Sequence, residues 1–244
     1  MTPQAVVALE DVSARAWPAL HTARIGGWRL NASTGHTGRA NTCWAIGAPD
    51  RPLDAALAEV ERWYADHGLP PKFKTVDGAP HPAGLEEFLR GAGFSPNTET
   101  RVMTGPVGGT NDGVLLEDQP GEAFQAVLFE TLYRDLADAR ERLDTLRRIA
   151  QPVRFARVEE GGRAIAVGAV AVDGDWAGVS VMRTSPEHRR RGLAQRIISA
   201  LLGFAAEQGA TRSYLQVEVK NETAVALYEQ LGFATAYRYR YWAR

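Results

Sequence analysis

One segment constrains this chain more than any other. A strand candidate, Trp176 to Thr184, runs through a proline turn and three consecutive arginines directly into a helix. The helix is marked by Leu193, Ile197, Ile198, Leu201, Leu202 and Ala205, which recur at helical spacing and trace one apolar stripe. A strand feeding a helix over so short a loop commits the region to an α/β arrangement. The join, Val181-Met-Arg-Thr-Ser-Pro-Glu-His-Arg-Arg-Arg-Gly-Leu-Ala194, carries its own chemistry. A helix N-terminus presents unpaired N–H groups and the positive end of a dipole, so it can hold phosphate. Gly192 and Ala194 are small enough to let phosphate oxygens approach the backbone, and Arg189, Arg190 and Arg191 add charge. Taken alone, the run also fits a solvated basic turn. Neither a dinucleotide fingerprint nor a P-loop occurs elsewhere.

Around this segment the second half reads as alternating elements. Val114 to Leu116 is a short strand candidate. Phe124, Val127, Leu128 and Leu132 mark a helix, followed by a polar helix from Leu136 to Ile149. Val153 to Val158 and Ala164 to Val172 form strands about a Gly161-Gly162 turn. Tyr214 to Val219 is a further strand, Glu222 to Leu231 a helix, and Thr235 to Trp242 a closing strand. In that last strand Tyr237, Tyr239 and Tyr241 share one face, which favours core packing over a substrate wall.

The first half is a fainter echo. Strands are expected at Trp28 to Leu30, Arg39 to Ile46, Lys72 to Val76 and Glu99 to Met103. Helices are expected at Leu53 to Asp66 and Ala83 to Gly91. Its ending, Leu85-Glu-Glu-Phe-Leu-Arg-Gly-Ala-Gly-Phe94, resembles Ala226-Leu-Tyr-Glu-Gln-Leu-Gly-Phe233 and suggests a duplicated unit. The breaker-rich run Gly105 to Gly113 reads as a linker, dividing the chain into residues 1–110 and 111–244.

The bulk properties suit that division. With 244 residues, 45% of them hydrophobic, there is enough material for two small cores. The 28 basic and 29 acidic residues leave a formal charge of −1, which gives no global attraction to nucleic acid or a membrane surface. A single cysteine, Cys43, excludes an internal disulfide and suits a reducing compartment. No apolar run reaches the ~20 residues of a transmembrane helix, and no export signal opens the chain, so a cytoplasmic location is expected. The five histidines lack paired ligand spacing, and no metal is expected.

The segment Arg189-Arg-Arg-Gly192-Leu-Ala194 resembles the acetyl-CoA motif of the GNAT superfamily, Arg/Gln-x-x-Gly-x-Gly/Ala after a strand and before a long helix. A second family element follows at the expected distance, Asn221-Glu-Thr-Ala224-Val-Ala-Leu-Tyr228-Glu-Gln-Leu-Gly232-Phe233. The resemblance covers Val114 to Arg244. It implies an α/β fold with a mixed, mostly antiparallel sheet flanked by helices, whose central strands splay apart in this half. The first half would be a degenerate copy. The implied activity is N-acetyl transfer from acetyl-CoA to a primary amine by direct attack in a ternary complex.

Carried over residue by residue, the resemblance implies main-chain contacts from Met182 and Thr184 to pantetheine. It implies pyrophosphate binding by Arg189, Arg190, Arg191, Gly192, Leu193 and Ala194. Asn221 would cap its helix and touch the cofactor arm. Tyr228 stands where the family places its general acid. A phenol of pKa ~10 can protonate a leaving thiolate whose acid has pKa ~8.5. The ribosomal-protein alanine N-acetyltransferases carry a glutamate where this chain has Gln216, and an amide cannot serve as a base. Glu218, two residues on and on the same strand face, could act directly or through an ordered water, or be a plain surface carboxylate.

In the first half, Ile46 to Pro52 offers no small-residue cradle, and Leu89 stands opposite Tyr228, so that half is assigned to packing and to shaping the substrate pocket. Arg39, Asn41, Lys72 and Lys74 are polar residues in its strand regions, for which surface placement is favoured over contact with substrate. The acceptor is expected to be a small-molecule or peptide-like amine, with neither nucleic acid nor membrane as a partner, and the protein a monomer or homodimer. The alternative is an acyl-CoA-binding sensor or interaction module without turnover.

Overall fold

The computed structural model describes all 244 residues, Met1–Arg244. In chain order the elements are α1 (Pro3–Arg15), β1 (His21–Ile25), β2 (Trp28–Ala32), β3 (Cys43–Trp44), α2 (Leu53–Asp66), β4 (Phe73–Val76), α3 (Leu85–Gly91) and β5 (Ser95–Gly105). They continue with β6 (Leu115–Glu117), α4 (Glu122–Thr131), α5 (Leu136–Arg147), β7 (Val153–Glu160), β8 (Arg163–Asp173), β9 (Trp176–Thr184), α6 (Leu193–Glu207), β10 (Arg212–Glu218), α7 (Glu222–Gln230) and β11 (Ala234–Ala243). Internal packing divides the chain into two units. The first holds Met1–Val102, Glu218–Lys220 and Ala236–Arg244; the second holds Met103–Val217 and Asn221–Thr235.

In the first unit the strands run in the order β1-β2-β3-β4-β11-β5. β1, β2 and β3 are antiparallel neighbours, β3 and β4 are parallel, and β4 meets β11 antiparallel. α2 makes the crossover between the parallel pair. Trp28, Phe73, Phe94 and Trp242 are buried together at the centre of the core. Phe73 meets Trp28 and Phe94 edge-on, with ring centroids 5.8 and 5.1 Å away.

Three features of this unit depart from the sequence reading. α1 and β1 were not foreseen. α1 begins at Thr2, whose hydroxyl accepts from the Ala5 N–H, with Pro3 in the first helical turn. The expected strand from Arg39 to Ile46 shrinks to Cys43–Trp44, because Asn41 is buried and organises a loop instead. Its side-chain oxygen accepts from the N–H groups of Ser33 and Gly35 at 2.8 and 2.9 Å, and its amide donates to the Thr37 carbonyl. Lys74 is not on the surface. It is wholly buried, ion-paired with Glu10 and packed over the rings of Trp44 and Tyr239 at 3.8 and 4.1 Å.

In the second unit the order is β10-β9-β8-β7-β6. β6 to β9 are successively antiparallel and β9 and β10 are parallel, joined by the α6 crossover. The stripe read from the sequence is the buried face of α6: Leu193, Ile197, Ile198, Leu201, Leu202 and Ala205 lie in one core with β8 residues such as Ala166 and Val170. The helices and strands expected here form within a residue or two of their expected ends. The glycine-rich run after β5 is irregular yet closely tied to α6. Ser199 Oγ and the backbone of Thr110 exchange hydrogen bonds of 2.9 Å in both directions, and Arg196 donates to the Asp112 carbonyl at 2.7 Å. A Cβ on Gly109 would stand 2.4 Å from the Ser199 carbonyl oxygen, so only glycine permits this approach. Each unit is thus an α/β arrangement in which antiparallel strands lead through a helical crossover into a parallel pair.

Candidate active site

The site is built where β9 leaves its neighbours. Its pairing with β10 runs from Trp176↔Arg212 to Val179↔Leu215 and ends there, while β9 continues to Thr184 against β8. On the β8 side the register passes from Ala169↔Ser180 to Val167↔Arg183, which inserts one extra residue into β9. This β-bulge bends a strand and re-aims its side chains. Val181 sits in the bulge at φ +50°, an unusual conformation for a β-branched residue and one maintained only by its surroundings. β9 and β10 therefore splay at the level of Met182 and Thr184. Met182 packs on the core that holds Leu193 and Tyr228.

Beyond Thr184 the chain is pinned and then opens. The Ser185 N–H donates to the Ile165 carbonyl at 2.9 Å, and its hydroxyl donates to Glu130 at 2.8 Å. A short helical turn, Pro186–His188, follows. Arg190 then takes φ +60° and Gly192 takes φ +75° as the residue capping α6. A Cβ on Gly192 would find nothing within 4 Å, so the helix N-terminus faces open space. Leu193 turns into the core, whereas the three arginines are exposed. Arg191 donates to both oxygens of Glu160, and His188 Nε2 lies 3.3 Å from the same carboxylate. The hydrogen bonds from Arg191 hold the Glu160 carboxyl below its ordinary range and raise the guanidinium. These positions bring exposed backbone at a helix N-terminus together with three exposed arginines, one of them paired with Glu160.

α7 supplies the next group. Its first turn is capped by Asn221, whose side-chain oxygen accepts from the Ala224 N–H at 3.3 Å. Asn221 is exposed. Tyr228, two turns on, is 8% exposed and stands 6.2 Å, ring to ring, from Phe233. Burial pushes its phenol upward and the Arg183 guanidinium pulls it back. Arg183 was missed in the sequence, where it is one polar residue inside an apolar strand. Burial, followed by its neighbour Arg142, lowers its own pKa to about 10, with Asp138 opposing. Its Nε is buried without a hydrogen-bond partner. Arg142 and Asp138 are themselves paired across one turn of α5 at 2.9 Å.

Met182, Thr184, Arg189 to Ala194, Asn221 and Tyr228 all belong to the second unit. Glu218 does not. It ends β10 as an exposed carboxylate 2.9 Å from Lys220 and packs with the first unit, while Gln216 before it is half-buried.

Comparison with known proteins gives this geometry a family. Residues 4–242 match the family described as probable histone acetyltransferase Rv0428c C-terminal. The chain is 32% identical to the probable histone acetyltransferase Rv0428c of Mycobacterium tuberculosis, over 97% of this chain and 73% of that protein. It is 28% identical to the uncharacterized N-acetyltransferase YobR of Bacillus subtilis, over 96% of each. Among solved structures, a GCN5-related N-acetyltransferase from Kribbella flavida superposes with a TM-score of 0.71 at 17% identity, covering 100% of this chain and 96% of that one. A tandem GNAT protein from the clavulanic acid biosynthesis pathway superposes with a TM-score of 0.61 at 14% identity, covering 97% and 87%. No helix is long and apolar enough to cross a membrane. The chain belongs to the Rv0428c C-terminal acetyltransferase family, and with it to the GNAT superfamily of acyltransferase enzymes.

Proposed function

We propose that the second unit uses acetyl-CoA as co-substrate and transfers its acetyl group directly to a primary amine, small or peptide-like, within a ternary complex. The observation that carries this reading is the splay of β9 from β10 leading into an open helix N-terminus at Gly192. Met182 and Thr184 would offer backbone to the pantetheine arm as an added strand would, and residues 189–194 would take the pyrophosphate. A backbone N–H beside Met182 would polarise the thioester carbonyl. The amine lone pair attacks that carbonyl and forms the C–N bond. The tetrahedral intermediate collapses with loss of the C–S bond, and the leaving thiolate takes its proton from Tyr228. The amine proton passes to Glu218 or to water.

The first unit repeats the succession of two antiparallel pairings, a helical crossover and a parallel pair, which supports reading it as a second copy. Its equivalent slot is closed. The N–H groups of Cys43, Ala45 and Gly47 donate to the carbonyls of Lys72, Lys74 and Pro80 at 2.8, 3.0 and 2.6 Å. Backbone committed in this way cannot pair with a pantetheine arm, so one acetyl-CoA per chain is expected.

Titration calorimetry with acetyl-CoA tests the reading, with an Arg191→Glu/Gly192→Glu double variant as control. One site per chain, lost in the variant, supports it, and absence of binding by the wild type overturns it. Binding without transfer to any amine in a broad acceptor panel would leave the chain an acyl-CoA-binding module.

A further inference from the structure

The first unit contains a cavity of about 260 Å³, bounded by α1, the β1–β2 hairpin, the end of β3 and the loop after β4. All the residues that line it belong to the first unit. At ~30 Å³ per water this is room for about nine waters, the size of a small organic molecule and far too small for a coenzyme A.

Its floor is apolar and rigid. Trp44 is 2% exposed and is fixed through its indole N–H, which donates to the Arg39 carbonyl at 3.1 Å. Val7, Ile46 and Pro80 complete the apolar wall. Below the ring, Glu10 is fully engaged: one carboxylate oxygen pairs with Lys74 and the other accepts from the Tyr237 hydroxyl at 2.8 Å. That buried network holds the floor in a single arrangement and leaves no carboxylate oxygen calling for a cation.

The rim is charged, and its charges do not cancel. Four ionisable side chains line the cavity: Glu10, Asp11, Arg24 and Arg29. Glu10 is matched from below by Lys74, and Asp11 is matched by Arg29 at 2.6 Å. The exposed guanidinium of Arg24 therefore has no counter-charge within the wall. Burial is the main influence that lowers the Arg29 guanidinium; Asp11 opposes it, and Arg24 and Arg15 add to the lowering. Asp11 already answers Arg29, so Arg24, its cross-strand neighbour, is the guanidinium left to meet an anion, and a fork-shaped donor suits a carboxylate.

We propose that this cavity is a second ligand site, which takes a small organic carboxylate with its apolar body against Val7, Ile46 and Pro80 and its charge on Arg24. The site does not depend on the acetyl-transfer reading of the second unit. It gives the first unit a recognition role although its own coenzyme slot is closed.

The test is ligand-observed NMR on the full chain with phenylacetate, 2-phenylethanol and inorganic phosphate as probes, each with and without saturating acetyl-CoA. Phenylacetate should bind with a dissociation constant in the millimolar range or tighter, with acetyl-CoA present or absent. The neutral alcohol, which lacks the charge, and phosphate, which lacks the apolar body, should each bind at least fivefold more weakly. Arg24→Ala, at an exposed position, should weaken phenylacetate at least fivefold without changing the melting temperature. Val7→Trp should fill the cavity and abolish binding. Absence of a phenylacetate signal would overturn the proposal, as would equal binding of the alcohol or phosphate, an unaffected Arg24→Ala variant, or displacement by acetyl-CoA. If Val7→Trp fails to fold, the Arg24→Ala and probe comparisons decide the question alone.

Discussion

Arg191 and Glu160 form a two-pronged ion pair, with guanidinium nitrogens 2.6 and 3.0 Å from the two carboxylate oxygens. The pair joins the end of the β7–β8 hairpin to the loop before α6, and it occupies one of the arginines proposed to meet the pyrophosphate. Glu160→Gln should therefore tighten acetyl-CoA binding by about two- to fivefold, in keeping with the small worth of an exposed pair. Calorimetry at low and high salt checks this. The gain should shrink as salt screens both partners.

Tyr228→Phe keeps the ring and removes the proton. If the phenol protonates the leaving thiolate, kcat should fall by about 10²- to 10⁴-fold with KM for acetyl-CoA unchanged. Because burial raises this phenol, the alkaline loss of activity should lie above the ordinary tyrosine value of ~10. Arg183→Gln removes the cation that lowers it and should shift the alkaline limb further upward. A limb that stays in place would remove Arg183 from that role.

Lys74 and Glu10 are buried together, so removing either one strands the other. Lys74→Met or Glu10→Gln alone should each cost about 3–5 kcal/mol of unfolding free energy. The double variant should recover most of it, since a buried pair can often be replaced by apolar groups at little cost. The pair also has a pH signature. Burial lowers Lys74 to about 8, whereas the unfolded chain titrates it near ~10.5. Between those values the unfolded state binds more protons, and Lys74 makes stability rise with pH. Urea denaturation of wild type minus Lys74→Met isolates this slope from the buried tyrosines, which act in the opposite direction and are common to both proteins.

Two glycines should fail differently. Gly109→Ala forces a methyl group against the Ser199 carbonyl and should cost about 1–3 kcal/mol of stability. Gly192→Ala meets open space and suffers only its left-handed backbone, about 1–2 kcal/mol. It should, however, weaken acetyl-CoA binding, which Gly109→Ala should leave intact apart from its effect on folding. Urea melts and calorimetry on the two variants separate the effects.

Legibility in the sequence followed the range of the forces involved. The second unit could be read because its stripe, loop and cap lie within neighbouring turns: Leu193 to Ala205 on one helix face, Asn221 one residue before its helix. α1 was missed because buried Glu10 interrupts the apolar spacing of Val6, Leu9 and Val12, although Thr2 and Pro3 signal a helix start. Lys74 was misplaced for the complementary reason: its counter-charge lies 64 residues earlier. Arg183 was invisible because a buried cation inside a strand is recognisable only when the bulge at Val181 and the ring of Tyr228 are placed beside it.

β11 has one more consequence. Tyr239 to Trp242 pair with Val76 to Phe73, and the Trp242 indole, fully buried, donates to the Thr75 hydroxyl at 2.9 Å. A ribosome making this protein releases α1 through β4 long before it reaches residue 242. The unit begun first is therefore completed last. Until then, Phe73 and Phe94 lack the side chain that seals them, and the nascent N-terminal segment must wait, partly assembled, for the final strand.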